Sequence, residues 1–347
     1  DVYKRQVQDM WEKSRFYIYA FCAEENSDFR TLSRNDKTQC LVDGSVDNDG
    51  SKMGKKARLN SDRASYLLWD GGSNVFYERE EQTRPFLFFG FYIDDIVVPE
   101  SNIIRTESAV KLRNIRIDGR QDIMSSVAQL TEEQKKLVED MNEKELVMNS
   151  LYSAYSTRLG IYPVLSFHHE LARVKFKIFP AKSDADHIYV QNITMESKVN
   201  ADFTVAAKDK EAMGLDFSEY TETIPMRLCE TDGGALKQDY YVAPLLPGEE
   251  SITDPYSRTG VFVGESLLVA PNLGKYKMTV DLKQNINGVT KTYTTEYELE
   301  TAFKAGYAYT VRVAINGLDD LDFNVQVDGW RDGGNIEINP GDEWTNE

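Results

Sequence analysis

Apolar and polar residues alternate with a period of two through most of this chain, and that limits it to a β-rich fold. Successive strand side chains point to opposite faces of a sheet, so such a sequence cannot keep one apolar stripe on a helix. In the first half the pattern predicts strands at 15–22, 65–69, 74–77, 85–93 and 110–117. From Tyr162 onward it predicts strands at 163–179, 187–195, 202–207, 222–229, 238–245, 259–269, 274–286, 289–300, 305–316 and 321–328. Turn signals separate them at the spacing of a β-sandwich rather than of βαβ units. Asn287-Gly288 is the clearest of these, because both central residues of a type I′ turn need positive φ. The stretch 69–74 (WDGGSN) reads as a second hairpin turn, and 42–56 as a long polar loop.

One stretch breaks the pattern, and residues 122–155 read as helical. Thr131 and Gln134 form a capping-box pair, and Leu130, Leu137, Val138 and Met141 recur at helical spacing. The fold class that follows is all-β, of β-sandwich rather than βαβ type, with one helical insertion near 122–155. The domain boundary falls at 156–162, dividing the chain into 1–158 and 159–347. A length of 347 residues fits two domains, and 41% hydrophobic with 28% charged residues is ordinary for a globular chain.

Lys+Arg 40 against Asp+Glu 57 leaves a formal charge of −17. That balance argues against nucleic acid as a partner, and against docking on anionic lipid. No apolar run approaches the roughly 20 residues that span a bilayer. Three histidines and three cysteines leave few candidates for metal chemistry. Cys22 lies in register with Phe16, Ile18 and Ala20 and reads as a small buried hydrophobe; a Cys22–Cys40 bridge stays open.

The catalytic motifs fail on inspection. His168-His169-Glu170 places Arg173 where a zincin needs its second histidine. Asp43, Asp47 and Asp49 resemble a calcium loop, but Lys56 stands where the twelfth-position glutamate belongs. No nucleophile elbow, Walker motif or dinucleotide fingerprint occurs in the sequence. The reading is therefore of a protein with no catalytic residue, no cofactor and no metal. The aromatic group Tyr66, Trp69, Phe76 and Tyr77 flanks a turn; it either stacks on a sugar or covers a sheet.

Several segments, taken in order, resemble the fimbrillin-like family of Bacteroidetes, which includes the major and minor fimbrillins of type V pili. LSFHHELARVKFKI (165–178), with Phe167, His169 and Leu171, resembles the family's opening strand of the second domain. AGYAYTVRVAINGLDDLDFNVQVDGWRDGG (305–334), with Tyr307, Tyr309 and Trp330, resembles its closing pattern. RIDGRQDIM (116–124) is similar to the segment that ends the first domain, and RFYIYAFC and RPFLFFGFYID are similar to its aromatic strands. The phase change at Leu171-Ala172 further implies a β-bulge or bend.

The resemblance implies two β-sandwich domains of transthyretin-like, Greek-key type, and a non-enzymatic cell-surface protein, a pilus subunit or a tip or adhesin component. It implies export as an outer-membrane lipoprotein precursor and a place at the cell surface or in a fimbrium. The partners it implies are other pilus subunits joined by strand exchange, together with a host or bacterial surface glycan or protein. DVYKRQ at 1–6 is expected to be non-native, with the signal and first strand missing, so an open groove is expected in the first domain. The polar tail from Gly333 makes a poor donor strand, which favours a tip, anchor or stand-alone role. The alternative is a stand-alone surface lipoprotein that binds host or dietary glycans through its aromatic loop residues.

Overall fold

The structure is a computed structural model that describes residues 15–47, 50–59, 67–71, 75–182, 187–229, 236, 240–241, 245–318, 321–328 and 335–337. It is all-β with a small helical layer, and its sheets pair into two sandwiches.

The first sandwich is built on a nine-stranded sheet whose centre is Phe16–Cys22 paired antiparallel with Phe86–Tyr92. Both sequences, FYIYAFC and FLFFGFY, are almost wholly apolar because both faces of this sheet are covered. Tyr19, Phe21, Phe89 and Phe91 point into the core shared with the second sheet; Phe16, Ile18, Ala20 and Phe88 point the other way. Met124–Gln129 and Val164–Ser166 continue the sheet beyond Phe86–Tyr92, and Asn335–Glu337 pairs with Val164–Ser166. On the other side lie Cys40–Val42, Lys55–Leu59 and Leu67–Trp69.

The facing sheet runs Gly214–Asp216, Asn200–Ala207, Ala109–Arg116, Ile103–Arg105. Phe203 meets Phe91 edge-on across the interface, with ring centroids 5.9 Å apart. The outer face of the nine-stranded sheet is covered by α1 (Glu132–Glu139), α2 (Lys144–Asn149) and α3 (Ala154–Arg158), through Val138, Val147, Tyr152 and Ile161. A side chain at Gly90 would put its Cβ 2.7 Å from both Leu165 and Phe167, so any larger residue there forces one of those side chains to move.

The helical layer starts later than the sequence suggests. Thr131 and Gln134 do form a reciprocal capping box, with both bonds at 3.1 Å. Met124–Gln129, however, is a strand against Phe86–Tyr92. Its MSSVAQ sequence carries no strong alternation, and its state is decided by its apolar neighbours on both faces. One other expectation also changes. Residues 75–77 are not a strand, so 69–74 does not close a hairpin between strands; residues 72–74 lie outside the described set. Cys22 is buried, as its register suggests, and the pairing left open by the sequence is answered: Cys22 and Cys40 are both free thiols.

The second sandwich packs the sheet Val261–Val269, Ala172–Pro180, Ala308–Ile315, Leu321–Asp328 on the sheet Thr223–Arg227, Ile188–Lys198, Tyr276–Ile286, Val289–Leu299. Tyr240–Tyr241 adds to Ile188–Lys198. Val174, Phe176, Val311 and Val313 meet Val190, Ile193, Met278 and Val280 in its core. Ala172–Pro180 and Ala308–Ile315 run parallel, whereas the other pairs of this sandwich are antiparallel. Asn287 (φ +49°) and Gly288 (φ +79°) make the hairpin turn that the sequence announces, closed by Ile286 opposite Val289.

The chain passes between the sandwiches at Glu170–Leu171. His168–His169 pairs with Met124 and Ser125 in the first sandwich, and Ala172–Pro180 pairs in the second. The phase change in the sequence is this transfer between sheets. Asn200–Ala207 and Asn335–Glu337 return later in the chain to complete the first sandwich.

Candidate functional site

A β-protein that joins others through its backbone needs a strand with one side unpaired. The first sandwich offers little of this. Its first described strand, Phe16–Cys22, lies inside the sheet with neighbours on both sides, so the groove expected there is not found among the described residues. The end strands Leu67–Trp69, Ile103–Arg105, Gly214–Asp216 and Asn335–Glu337 are three residues each. Very short edge strands are one way in which sheets are blunted.

The second sandwich is different. Val289–Leu299 is eleven residues long and pairs, among the described residues, only with Tyr276–Ile286. The turn-closing pair Ile286–Val289 exchanges its backbone bonds inward, and hydrogen-bonded pairs alternate along the ladder. The N–H and C=O groups of residues 290, 292, 294, 296 and 298 therefore face outward. Across the mouth of the sandwich lies Leu321–Asp328, paired only with Ala308–Ile315 among the described residues. The Tyr297 hydroxyl donates to the Leu321 carbonyl at 3.2 Å, and the Tyr297 and Phe323 rings stand 4.1 Å apart.

These two edges leave core-facing apolar residues half open. Tyr297, Phe323 and Val325 are only partly buried, while Tyr293 is 45% and Val327 60% exposed. Neither VTKTYTTEYEL nor LDFNVQVD contains a proline. The slot between them combines free backbone groups with an apolar lining, which is what an added strand needs.

The residues singled out in the sequence fall into two groups. His169, Leu171, Tyr307 and Tyr309 converge on the passage between the sandwiches. His169 is buried, its Nδ1 2.9 Å from Asp122 Oδ1. The Leu171 carbonyl accepts from Gly306 N at 3.0 Å, and Arg173 N donates to the Tyr307 carbonyl at 3.0 Å. The Tyr309 hydroxyl accepts from Lys304 N at 2.9 Å, and Phe167 lies in the core beneath the helices. Glu170 enters the same passage: Ser125 donates to its carboxylate, and Leu215 N donates at 3.3 Å. Burial pushes its carboxyl above the ordinary range, against the pull of those two bonds. The opening and closing motifs thus touch each other. Trp330 lies outside the described residues.

The aromatic turn forms no open platform among the described residues. Trp69 and Tyr77 turn inward against the core beneath the helices, with Lys55 Nζ 5.5 Å from the Trp69 ring centre. The Tyr77 hydroxyl lies 3.4 Å from Thr157 Oγ1, and Phe76 is 48% exposed. Tyr66 lies outside the described residues.

The two described aspartates of the acidic loop are spent on internal pairs; Asp49 lies outside the described residues. Asp47 holds the buried Lys55 at 2.6 Å. Asp43 accepts from the Ser33 and Ser45 hydroxyls at 2.5 and 2.6 Å and from Arg105 at 2.8 Å. Among the described residues there is no group of three or more His, Cys, Asp or Glu placed to hold a metal. No helix there is long and apolar enough to cross a membrane.

The open edges were missed at the sequence level. Both strands were visible there, but whether a strand is internal or terminal in its sheet leaves no local signal.

Fold and edges together define a two-sandwich all-β protein whose exposed chemistry is that of an interaction surface. The fimbrillin-like family profile matches residues 148–330, more than half of the chain, and the chain belongs to that family. It is also similar in structure to a Bacteroides eggerthii DSM 20697 protein described in terms of cell adhesion. That match has a TM-score of 0.41 at 9% identity and covers 94% of this chain and 90% of the other. No curated protein matches.

Proposed function

We propose that this chain is a non-enzymatic cell-surface protein, a pilus subunit or tip adhesin, exported as an outer-membrane lipoprotein precursor. Its neighbours join it by β-strand donation, and the accepting edges are Val289–Leu299 and Leu321–Asp328. The observation that carries this reading is the slot between those edges, where free backbone and half-open apolar residues lie together. An added strand would close the ladder with main-chain hydrogen bonds, and alternate side chains entering the slot would set its register. Family membership supports the surface role. Within the proposal the chain has two units, 1–158 and 159–347, with Val164–Ser166, His168–His169, Asn200–Ala207, Gly214–Asp216 and Asn335–Glu337 of the second completing the first sandwich.

Hydrogen exchange tests the assignment residue by residue. In the monomer the amides of 290, 292, 294, 296 and 298 exchange fast, while those of 291, 293 and 295 are slower. In assembled material the first set becomes protected. If those amides stay unprotected in polymers, Val289–Leu299 is not an accepting edge.

A further inference from the structure

The outer face of the second sandwich carries a feature that strand donation does not use. A chain of net charge −17 gathers Lys175, Lys177 and Arg312 around one open cleft of about 250 Å³. Lys175 and Lys177 alternate on Ala172–Pro180, and Arg312 lies opposite Lys177 on the parallel neighbour. All three point away from the core, because Val174, Phe176 and Ile178 point into it.

The cations are held in place by aromatic rings. Lys177 Nζ stands 5.2 Å from the Phe179 ring centre and 5.4 Å from that of Phe262. The Arg312 guanidinium lies 4.7 Å from the Tyr256 ring centre and 5.2 Å from that of Phe179, and it donates to the Tyr256 carbonyl. Neither Lys177 nor Arg312 has a carboxylate partner among the described residues.

The acids near Tyr256 are engaged elsewhere. Asp254 caps its own turn through Tyr256 N at 3.0 Å and Ser257 Oγ at 2.9 Å, and Asp322 accepts from Asn316 at 2.9 Å. Tyr256 lines the cleft through its ring, and its hydroxyl is shielded from water, with no hydrogen-bond partner among the described residues. Gly260 makes the packing possible, since a Cβ there would lie 2.5 Å from the Phe179 ring.

We infer that this cleft binds an acidic saccharide, through a carboxylate or sulfate group on a sugar. Aromatic-held cations are pre-organised for an anion, so little side-chain freedom is lost on binding. Gln326 adds an amide for sugar hydroxyls, and Phe262, 52% exposed, offers a ring face. The volume suits about one or two pyranose rings rather than a larger ligand. The site is distinct from the aromatic turn at Trp69, and it does not depend on strand donation.

The test uses the monomeric protein, a heparin-derived sulfated disaccharide, a digalacturonate and a neutral disaccharide, by calorimetry at low salt and at about 0.15 M salt. Both acidic sugars should bind, more weakly at the higher salt, and the neutral one should not. Lys177→Gln with Arg312→Gln should weaken binding by about tenfold or more with an unchanged circular dichroism spectrum, while Lys177→Arg should retain it. Tyr256→Leu supplies a second variant that removes the ring holding Arg312 and should also bind less tightly. The assignment is overturned if neither acidic sugar binds or if the double variant binds as well as the parent. Inorganic sulfate binding as tightly as the sulfated disaccharide would also overturn it.

Discussion

Removing Arg105 should cost the first sandwich more than almost any other single change. Its side chain is 7% exposed and that of Asp43 is fully buried, with Nη1 to Oδ2 at 2.8 Å. Nε donates to the Phe29 carbonyl at 2.6 Å, and Nη2 donates to the Thr31 carbonyl at 2.9 Å. The guanidinium also lies 5.8 and 5.1 Å from the Tyr19 and Phe21 ring centres.

Arg105→Ala leaves a buried carboxylate with only its serine and backbone donors, and it strips two carbonyls of a partner. Breaking a buried pair from one side typically costs about 3–5 kcal/mol, so a loss of about 4 kcal/mol is expected. For a unit of this size that lowers Tm by roughly 8–16 °C. Urea unfolding followed by circular dichroism measures it. The double variant Arg105→Met with Asp43→Ala should recover a large part of the loss, because it removes the stranded charge as well.

The pH profile gives an independent reading. Burial pushes the Asp43 carboxyl up, but hydrogen bonds from Ser33 and Ser45 and the Arg105 charge outweigh it and hold the group below the usual range. A carboxyl lowered on folding contributes stability above its unfolded pKa of about 3.9, and that contribution is lost as pH falls through the folded value. Arg105→Ala should therefore flatten the acid limb of the stability curve. A loss under about 1 kcal/mol, with the acid limb unchanged, would refute the view that this pair locks the loop to the sheet.

Gly90→Ala should destabilise by about 1–3 kcal/mol, because its Cβ would meet Leu165 and Phe167 at 2.7 Å; thermal unfolding within error of the parent would show that those side chains can withdraw. Glu170 titrates in the opposite sense to Asp43: its carboxyl is raised on folding, so native stability falls as pH rises from the unfolded value through the folded one. Glu170→Gln should lose stability near the acid end of that window and recover it at neutral pH, and parallel curves for variant and parent would contradict this. Gly288→Ala, at φ +79°, should cost about 1 kcal/mol and be felt first in exchange rates at the tip of the 276–299 hairpin.

The residues that were easiest to read were those whose environment is local. Asn287-Gly288 needs only two positive φ angles, and Thr131 with Gln134 needs only each other; both are found as the sequence announces them. Phe16–Cys22 and Phe86–Tyr92 are unmistakable strands. Their two-sided burial, however, depends on helices that cover one face from more than a hundred residues later in the case of Phe16–Cys22.

Met124–Gln129 was misread because its serines carry no periodic signal and the N-cap of a true helix, Thr131, follows two residues after it. The phase change at Leu171-Ala172 was visible, but its meaning, transfer to another sheet, rests on partners near 269 and 308. Edge status is equally non-local. The alternation of Arg173, Lys175 and Lys177 was in plain view in an acidic chain. Only the fold shows that Arg312 and Tyr256 stand beside them.

The central claim, that the second sandwich accepts a strand from a neighbour, is tested most directly on cells expressing the full-length gene with its own start. The surface fraction is run on detergent gels with and without heating, for the parent and for Thr294→Pro. Proline at 294 removes an outward N–H and leaves the inward ladder intact, so the monomer should fold. The account predicts a heat-sensitive ladder for the parent and its loss in the variant. A single monomer band from the parent, or a ladder unaffected by the proline, would contradict it.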